Sequence, residues 1–165
     1  MKKTILSLTT IVFLLICSNG IQAQNATKDF DQLKLAQKYL VGTWQTTRND
    51  TTWAWELKQD GKVLFEIDYI IVNGKKSVDS YWSYSYEPER NNFYMFAAYV
   101  SGKCITGIGS FTAENKWCQE LFVPFNPEKI LRKGEFVFDT PTSLTLTVFN
   151  SEGVKLGEGK VSKVE

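Results

Sequence analysis

The sequence predicts an all-β protein, an up-and-down antiparallel meander barrel of eight to ten strands with a short N-terminal helix. Ten strand-like segments follow one another from residue 43 to residue 164, and short turn signals separate them. Alternating side chains give most of these segments one apolar face. No helical pattern interrupts the series, which excludes a parallel sheet flanked by helices. A long sheet of this kind buries its apolar face, and removes its open edges, by closing into a barrel.

The N-terminus has the pattern of a secretory signal peptide over residues 1–23. Two lysines precede an apolar stretch over residues 5–16, and a small residue follows at a plausible cleavage point. The stretch is too short to cross a membrane. Cys17 offers the alternative of a bacterial lipid anchor, although Ile16 is larger than the residue that usually precedes a lipidated cysteine. We therefore expect an exported protein, periplasmic or secreted and not membrane-spanning.

Composition narrows the class of protein further. Removal of residues 1–23 leaves 142 of 165 residues, the size of one domain with a substantial core. The chain has 19 basic and 18 acidic residues, and loss of two lysines with the signal peptide leaves a net charge of −1. That balance gives no electrostatic basis for binding nucleic acid. The chain has no histidine, which excludes histidine-based triads, histidine-ligated haem and the usual zinc sites. We expect no cofactor.

A short helix is predicted near residues 29–40, ending at Gly42. Asp29 with Gln32 three residues later resembles a capping box. The expected apolar stripe consists of Phe30, Leu33, Ala36 or Gln37, and Leu40. Because this stripe needs burial, we expect the helix to plug one mouth of the barrel. A lid over a ligand entrance and a helix that binds a partner are the alternatives.

The strands follow the helix in close succession. Asn73-Gly74 between two apolar runs is the strongest hairpin signal, because both central positions of a type I′ turn need positive φ. Only residues 124–131 are expected to form a longer connection. The predicted strands cover residues 43–48, 52–59, 62–72, 77–87, 92–100, 103–112, 116–123, 132–139, 143–149 and 154–164.

Alternation within the strands predicts which side chains face the interior. Glu66 and Asp68 are expected on the outer surface. The residues expected to face inward include Trp53, Trp55, Leu57, Val63, Phe65, Ile67, Tyr69, Ile71, Trp117, Leu121, Val123, Phe136 and Phe138. Charges at mid-strand on the outside favour a water-soluble barrel and argue against an outer-membrane barrel.

Several positions with interior parity are polar or small. They form the rows Ser80, Trp82, Tyr84, Tyr86 and Thr106, Ile108, Ser110, with Gln119 between Trp117 and Leu121. A few polar groups among aromatics are typical of a small-molecule pocket, and a filled core with satisfied hydroxyls is the alternative. The residues expected to bind a ligand are Trp53, Trp55, Phe65, Tyr69, Ser80, Trp82, Tyr84, Trp117 and Gln119.

Two glycines and two cysteines carry further expectations. Gly107 and Gly109 in one strand indicate strong bending or close packing. Counting by two places Cys104 and Cys118 on opposite faces and far apart along their strands, which argues against a disulfide unless a bulge or a contact across the barrel brings them together. The same counting places Cys104 inside, with Thr106.

The stretch Tyr39-Leu40-Val41-Gly42-Thr43-Trp44 resembles the opening motif of bacterial lipocalin-like domain proteins of the calycin superfamily. The resemblance implies a lipocalin-like barrel over residues 43–165, after an N-terminal segment over residues 24–42. It also implies that Trp44 closes the barrel base.

The chain departs from the lipocalin pattern in three respects. It lacks the threonine–aspartate–tyrosine motif, and its last strand has no arginine to stack on the tryptophan, so Lys160 and Lys163 are the nearest cations. Ten strands match fatty-acid-binding and nitrobindin-like barrels instead, but the haem role of nitrobindin needs a histidine.

The sequence leaves three functions open. The first is a non-enzymatic barrel that binds one small hydrophobic or aromatic molecule in its interior. The second is a scaffold with a filled core that binds proteins through exposed aromatics such as Tyr81, Tyr94 and Phe96. The third is an enzyme of the isomerase or cyclase type, with an interior Cys104 as nucleophile. The third is disfavoured because no histidine is present to activate the thiol.

Overall fold

The computed structural model of this protein describes residues 30–124 and 126–164. The predicted signal peptide, Cys17 and Asp29 lie outside the described residues. The first element of the described residues is a helix, α1 (Gln32–Leu35), which continues as one π-helical turn (Ala36–Leu40). The strands are β1 (Gly42–Arg48), β2 (Thr51–Asp60), β3 (Val63–Val72), β4 (Lys75–Glu87), β5 (Asn92–Tyr99), β6 (Cys104–Ala113), β7 (Lys116–Val123), β8 (Asn126–Thr140), β9 (Ser143–Asn150) and β10 (Lys155–Val164).

The ten strands form one closed antiparallel barrel. Each strand pairs with the next along the chain, and β1 pairs with β10 to close the ring, with Trp44 opposite Lys163. The up-and-down meander predicted from the sequence is therefore confirmed, with ten strands. The turn at Asn73-Gly74 has the expected positive φ angles of 51° and 75°.

The connection between β7 and β8 is shorter than predicted. Strand β8 begins at Asn126, so the predicted long connection over residues 124–131 is wrong. Ile130 lies opposite Phe122, and the register shifts on either side of Phe122. These irregularities accommodate extra residues of β8 within the ladder. The composition of this part of β8 resembles that of a turn, so the sequence did not predict a strand there.

The N-terminal helix closes one end of the barrel, here called the base. Tyr39 is buried with its ring centroid 4.8 Å from that of Phe138. Trp44 is 1% exposed, and its Nε1 donates a hydrogen bond of 2.9 Å to the carbonyl oxygen of Leu40. The helix is thus seated as a plug. Among the described residues, no helix is long and apolar enough to span a bilayer.

The predicted helix cap and stripe are partly wrong. The side chain of Asp31 accepts the hydrogen bond from the backbone of Lys34 at 3.0 Å, so Asp31 is the N-cap. The buried residues include Gln32 and Tyr39. The π-helical turn changes the angular spacing after Leu35, which the ideal 3.6-residue period does not anticipate.

Lys163 places its ammonium group beside Trp44 at the base of the barrel. Its Nζ lies 4.9 Å from the ring centroid of Trp44 and donates a 2.7 Å hydrogen bond to the carbonyl oxygen of Val41. Gly42, at φ 130°, leaves room for the lysine stem, since an added Cβ would lie 2.9 Å from Lys163 Cε. Glycine, tryptophan and lysine therefore form one packed unit at the base.

The predicted faces of β3 are reversed. Phe65 is 52% exposed on the outer surface, and Glu66 and Asp68 point into the barrel. The register explains the reversal, because Leu57 lies opposite Glu66 and Trp55 lies opposite Asp68. The inward prediction for Val63, Phe65, Ile67, Tyr69 and Ile71 is wrong for the same reason.

Strand β6 is also reversed relative to the prediction. Phe111 is buried at 2% exposure, with its ring 5.4 Å from that of Trp117. Gly107 and Gly109 share its inward face, opposite Met95 and Phe93. The row predicted to face inward, Thr106, Ile108 and Ser110, therefore faces outward, as does Cys104.

Among the described residues, Cys104 and Cys118 are free thiols. Cys118 lies opposite Ser110 on the outer face, so the two cysteines share a face, contrary to the parity count. Cys104 is six residues from Ser110 along the same strand, which corresponds to about 20 Å. Distance along the strand, and not the face, keeps them apart.

Candidate functional site: a cavity inside the barrel

The barrel contains a cavity of about 230 Å³. Its lining extends from Leu40, Trp44 and Phe138 at the base to Trp53 and Arg132 at the opposite end, here called the mouth. An apolar cavity of roughly 150 Å³ holds a benzene molecule, and typical drug-sized sites exceed about 300 Å³. The space therefore suits a molecule of one or two rings. The interior of the barrel is therefore not the filled core that the sequence left open as an alternative.

Six of the nine residues predicted to bind a ligand border this cavity, although the ring of Tyr69 lies on the outer face, where Lys76 Nζ is 3.5 Å from its centroid. They are Trp53, Trp55, Tyr69, Trp82, Tyr84 and Gln119. Ser80 and Trp117 are 0% and 1% exposed and lie within the wall. Phe65 is on the outside of the barrel, so its predicted place in the interior is wrong. The structure thus brings together an aromatic wall from β2, β4 and β7.

The main feature that sequence reasoning missed is a pair of carboxyl groups inside this wall, Glu66 and Asp68. The Tyr84 hydroxyl donates a 2.9 Å hydrogen bond to Glu66 Oε2. Asp68 Oδ2 accepts hydrogen bonds from Ser80 Oγ at 2.7 Å and from Trp82 Nε1 at 2.8 Å. The polar groups of β4 therefore hold both carboxyls in place. Both carboxyl residues retain surface toward the cavity.

Burial and proximity change the acidity of this cluster. Desolvation raises the pKa of Glu66 well above its ordinary value, and the neighbouring charge and hydrogen bond of Asp68 raise it further. Desolvation also raises the pKa of Asp68, although hydrogen bonds from Glu66, Ser80 and Trp82 oppose the rise. Each carboxyl therefore holds its proton more tightly than it would in water.

Tyr84 completes the polar cluster as a neutral donor. Burial, reinforced by the charges of Glu66 and Asp68, raises the pKa of its phenol well above the ordinary value. Its ring lies 6.2 Å from that of Trp82 in a stacked arrangement, with an interplanar angle of 26°. The hydroxyl therefore stays protonated and donates to Glu66, while the ring contributes to the aromatic wall.

A second polar point lies across the cavity. Gln119 Oε1 accepts a 3.1 Å hydrogen bond from Trp117 Nε1. An added Cβ at Gly134 would lie 3.2 Å from Gln119 Cγ, so the glycine leaves space for the amide. The amide of Gln119, which the sequence predicts as a ligand-binding residue, borders the same space as the carboxyl pair.

No basic residue is paired with the two carboxyls among the described residues. The five ion pairs there lie elsewhere and on side chains with substantial exposure. Arg132 reaches the cavity at the mouth, where it donates to the Tyr99 hydroxyl at 3.5 Å. The ammonium group of Lys133 pairs with Glu120 at 2.7 Å. The interior charge of the carboxyl pair is therefore not offset by a neighbouring cation.

The sequence did contain a signal for this pair. A two-residue turn pairs odd-numbered residues of one strand with even-numbered residues of the next. Once Trp55 and Leu57 are placed inside, a two-residue turn after β2 places Glu66 and Asp68 inside as well. The apolar run of β3 concealed this relationship, because its more hydrophobic face is the outer one.

Within the described ranges, no group of histidine, cysteine and acidic side chains is arranged to hold a metal ion. The fold and the cavity define a ten-stranded antiparallel barrel with an aromatic interior that contains a carboxyl pair. No protein-family model matches the chain, and a search of curated proteins also finds no match.

A solved structure that resembles the chain is a redesigned β-barrel, mFAP1, bound to DFHBI. The sequences are 17% identical, the match covers 79% of this chain and 98% of the designed chain, and the TM-score is 0.33. At that level of similarity the designed barrel's ligand carries no information about this chain.

Proposed function

We propose that this protein is an exported, non-enzymatic barrel that binds one small aromatic molecule in its interior. The observation that carries the proposal is the cavity of about 230 Å³, walled by Trp55, Trp82 and Tyr84. Apolar walls with a few fixed polar groups are the usual composition of a small-molecule site. Export and a lipocalin-like affiliation are parts of the proposal, supported by the pattern of residues 1–23 and by the Trp44–Lys163 unit.

The carboxyl pair bears directly on whether the protein only binds its ligand or also catalyses a reaction on it. Catalysis in the cavity would use Glu66, Asp68 and Tyr84, since carboxyl pairs with separated pKa values are typical acid–base groups. The interior thiol considered from the sequence is not available for this role, because Cys104 faces outward. The hydrogen bonds from β4 to both carboxyls are those of a rigid binding wall, and we favour binding for that reason.

Intrinsic tryptophan fluorescence tests the proposal, because Trp53, Trp55 and Trp82 border the cavity. The ligand panel consists of one- and two-ring aromatics, flavonoid-like aromatics, fatty acids and bile acids. We expect saturable changes with the smallest aromatics and none with bile acids, which exceed the volume of the cavity. Phe65→Ala is the matched control, since it removes an aromatic from the outer face and leaves the cavity intact. Absence of a saturable signal with every aromatic would contradict the proposal.

A second candidate function is supported by a specific observation on the outer surface. Phe65, Tyr81, Tyr94 and Phe96 are 42–52% exposed on neighbouring strands β3 to β5, and we call them the outer aromatic patch. Helix α1 packs at the base against β6 and leaves this patch open. Exposed aromatics clustered on one face are typical of protein-interaction surfaces.

Capture of proteins from an envelope extract distinguishes the two functions. For an interaction scaffold, a protein is retained by the wild type and lost with the Phe65→Ser/Phe96→Ser double variant. The control is Leu146→Trp, which fills the cavity and leaves the patch unchanged. A partner that is lost with Leu146→Trp and retained by the double variant would argue against the scaffold function.

A further inference from the structure

We propose that the cavity selects a small aromatic molecule that carries a positive charge, such as a protonated amine, and that this charge binds beside Asp68 and Glu66. The inference rests on the proposed function and specifies its ligand class. It arises from a juxtaposition within the wall: two adjacent inward carboxyls on β3 face the same space as the rings of Trp55, Trp82 and Tyr84.

The charge of the carboxyl pair has no opposite charge beside it among the described residues. An ionised carboxylate inside a barrel is costly unless hydrogen bonds and an opposite charge accompany it. Ser80 and Trp82 supply hydrogen bonds to Asp68, but no ion pair of the described residues includes Asp68 or Glu66. A ligand cation would provide the missing opposite charge.

The carboxylate of Asp68 can still accept a hydrogen bond from a ligand. A carboxylate offers about four acceptor positions. Asp68 accepts from Ser80 Oγ and Trp82 Nε1, which leaves about two acceptor positions, and a ligand donor can take one of them. An ammonium group supplies such a donor together with the charge. A ligand carboxylate supplies neither and would be repelled.

The aromatic wall of the cavity also suits a positively charged ligand. Cations are attracted to the faces of indole and phenol rings within about 6 Å of the ring centroid. Trp82 and Tyr84 form a stacked pair on the strand beside the carboxyls, and Trp55 lies directly opposite Asp68. The rings therefore favour both parts of the proposed ligand, the aromatic ring and the cation.

The basic groups at the mouth do not compensate the carboxyl pair. Arg132 points to the Tyr99 hydroxyl, and burial raises the pKa of that phenol while the Arg132 charge opposes the rise. Asp79 also lines the cavity, which adds a further acidic group to the wall. A ligand in the cavity therefore meets acidic side chains next to the rings and a basic side chain only at the mouth.

The test is calorimetry of the full exported domain with three probes that share a phenyl ring and a two-carbon linker. The probes are 2-phenylethylamine, 2-phenylethanol and 3-phenylpropanoate, with the matching 1-naphthyl series as larger rings. At neutral pH we expect the amine to bind at least about tenfold more tightly than the alcohol, and the carboxylate to bind most weakly. In Asp68→Asn we expect the amine preference to fall to about twofold or less, with the alcohol affinity retained.

Glu56→Gln is the matched control, since it removes a carboxylate from the outer face of the adjacent strand β2. Its amine preference should equal that of the wild type. Circular dichroism and thermal unfolding check each variant, and the probe ranking in the wild type decides the question even if Asp68→Asn fails to fold. If the alcohol binds as tightly as the amine, the charge inference is overturned while the proposed function stands. If no probe of either series binds, both are overturned.

Discussion

The side-chain amide of Gln32 pairs with both backbone polar groups of Phe111. Its Nε2 donates a 3.0 Å hydrogen bond to the Phe111 carbonyl oxygen, and its Oε1 accepts a 2.7 Å hydrogen bond from the Phe111 N–H. Phe111 lies beyond the last residue pair of the β5–β6 ladder, which ends at Phe93 and Gly109. One buried amide therefore replaces the missing strand partner and joins the helical plug to the barrel wall.

Removal of this amide should destabilise the protein. Gln32→Ala leaves a buried N–H and a buried carbonyl of Phe111 without partners, at a cost of about 1–3 kcal/mol for each group. We expect urea unfolding to show a loss of about 2–4 kcal/mol in the free energy of unfolding. Gln37→Ala, on the exposed side of the same helix, should change it by less than about 0.5 kcal/mol. Equal effects of the two substitutions would contradict this role for Gln32.

The cation at the barrel base gives a second prediction. Lys163→Met retains the apolar stem but removes the hydrogen bond to Val41 and the charge over Trp44. We expect a loss of about 1–2 kcal/mol by chemical denaturation. Lys160→Met on the same strand removes an exposed ion pair with Asp139, whose expected contribution is below about 1 kcal/mol. A larger effect at Lys160 than at Lys163 would be inconsistent with the base unit.

The carboxyl pair predicts how stability depends on pH. Both groups have a raised pKa in the folded barrel, so the folded state binds more protons than the unfolded chain between about pH 4 and the folded-state pKa values. Their contribution to stability is therefore fully present below about pH 4 and is lost as pH rises through the folded-state pKa values. The other titratable groups that line the cavity are Tyr69, Asp79, Tyr84, Arg132 and Lys133.

Glu66→Gln tests that dependence directly. Glutamine can accept from Tyr84 and donate to Asp68 without a charge, so the variant should match the wild type near pH 4 and exceed its melting temperature near pH 8. Thermal unfolding from pH 4 to pH 8 provides the measurement. Glu56→Gln, whose carboxyl is paired with Lys58 on the surface, should show no gain that grows with pH. A wild type whose stability rises relative to Glu66→Gln between pH 5 and pH 8 would refute the assignment.

Close packing inside β6 gives a further prediction. A Cβ at Gly109 would lie 2.2 Å from Trp117 Cζ2, whereas a Cβ at Gly159 would meet nothing within 4 Å. Gly109→Ala forces the buried indole to move, and we expect a loss of about 1–3 kcal/mol. Gly159→Ala in β10 should be neutral or slightly stabilising. A neutral result at Gly109, measured by chemical denaturation, would show that the indole can move without cost.

Much of the fold was predictable because its signals are local. Turn residues such as Asn73-Gly74 fix the hairpins, and the succession of short connections leaves an antiparallel meander as the simplest arrangement. The strand boundaries agree closely except at β8. There, register shifts beside Phe122 extend the ladder through residues whose composition resembles a loop.

The interior was less predictable because both faces of some strands carry large apolar residues. On β3 the more apolar face, with Phe65, is the exposed one, so hydrophobicity alone selects the wrong side. On β6 the inward face consists of Gly107, Gly109 and Phe111, and glycine carries no hydrophobic signal. In both cases the register of the neighbouring strand determines the face. The carboxyl pair of the candidate site follows from that register and not from composition.

Under the proposed function, the interior cavity binds a small aromatic molecule. The most direct measurement is calorimetric titration of 2-(1-naphthyl)ethylamine into the wild type, Leu146→Trp and Thr145→Trp. Leu146 lines the cavity, and Thr145 is its neighbour on the opposite face of β9, so the two variants add the same indole inside and outside. We predict one-to-one saturable binding to the wild type and Thr145→Trp, and its loss in a folded Leu146→Trp. Equal binding to all three proteins, or binding to none, would contradict the claim.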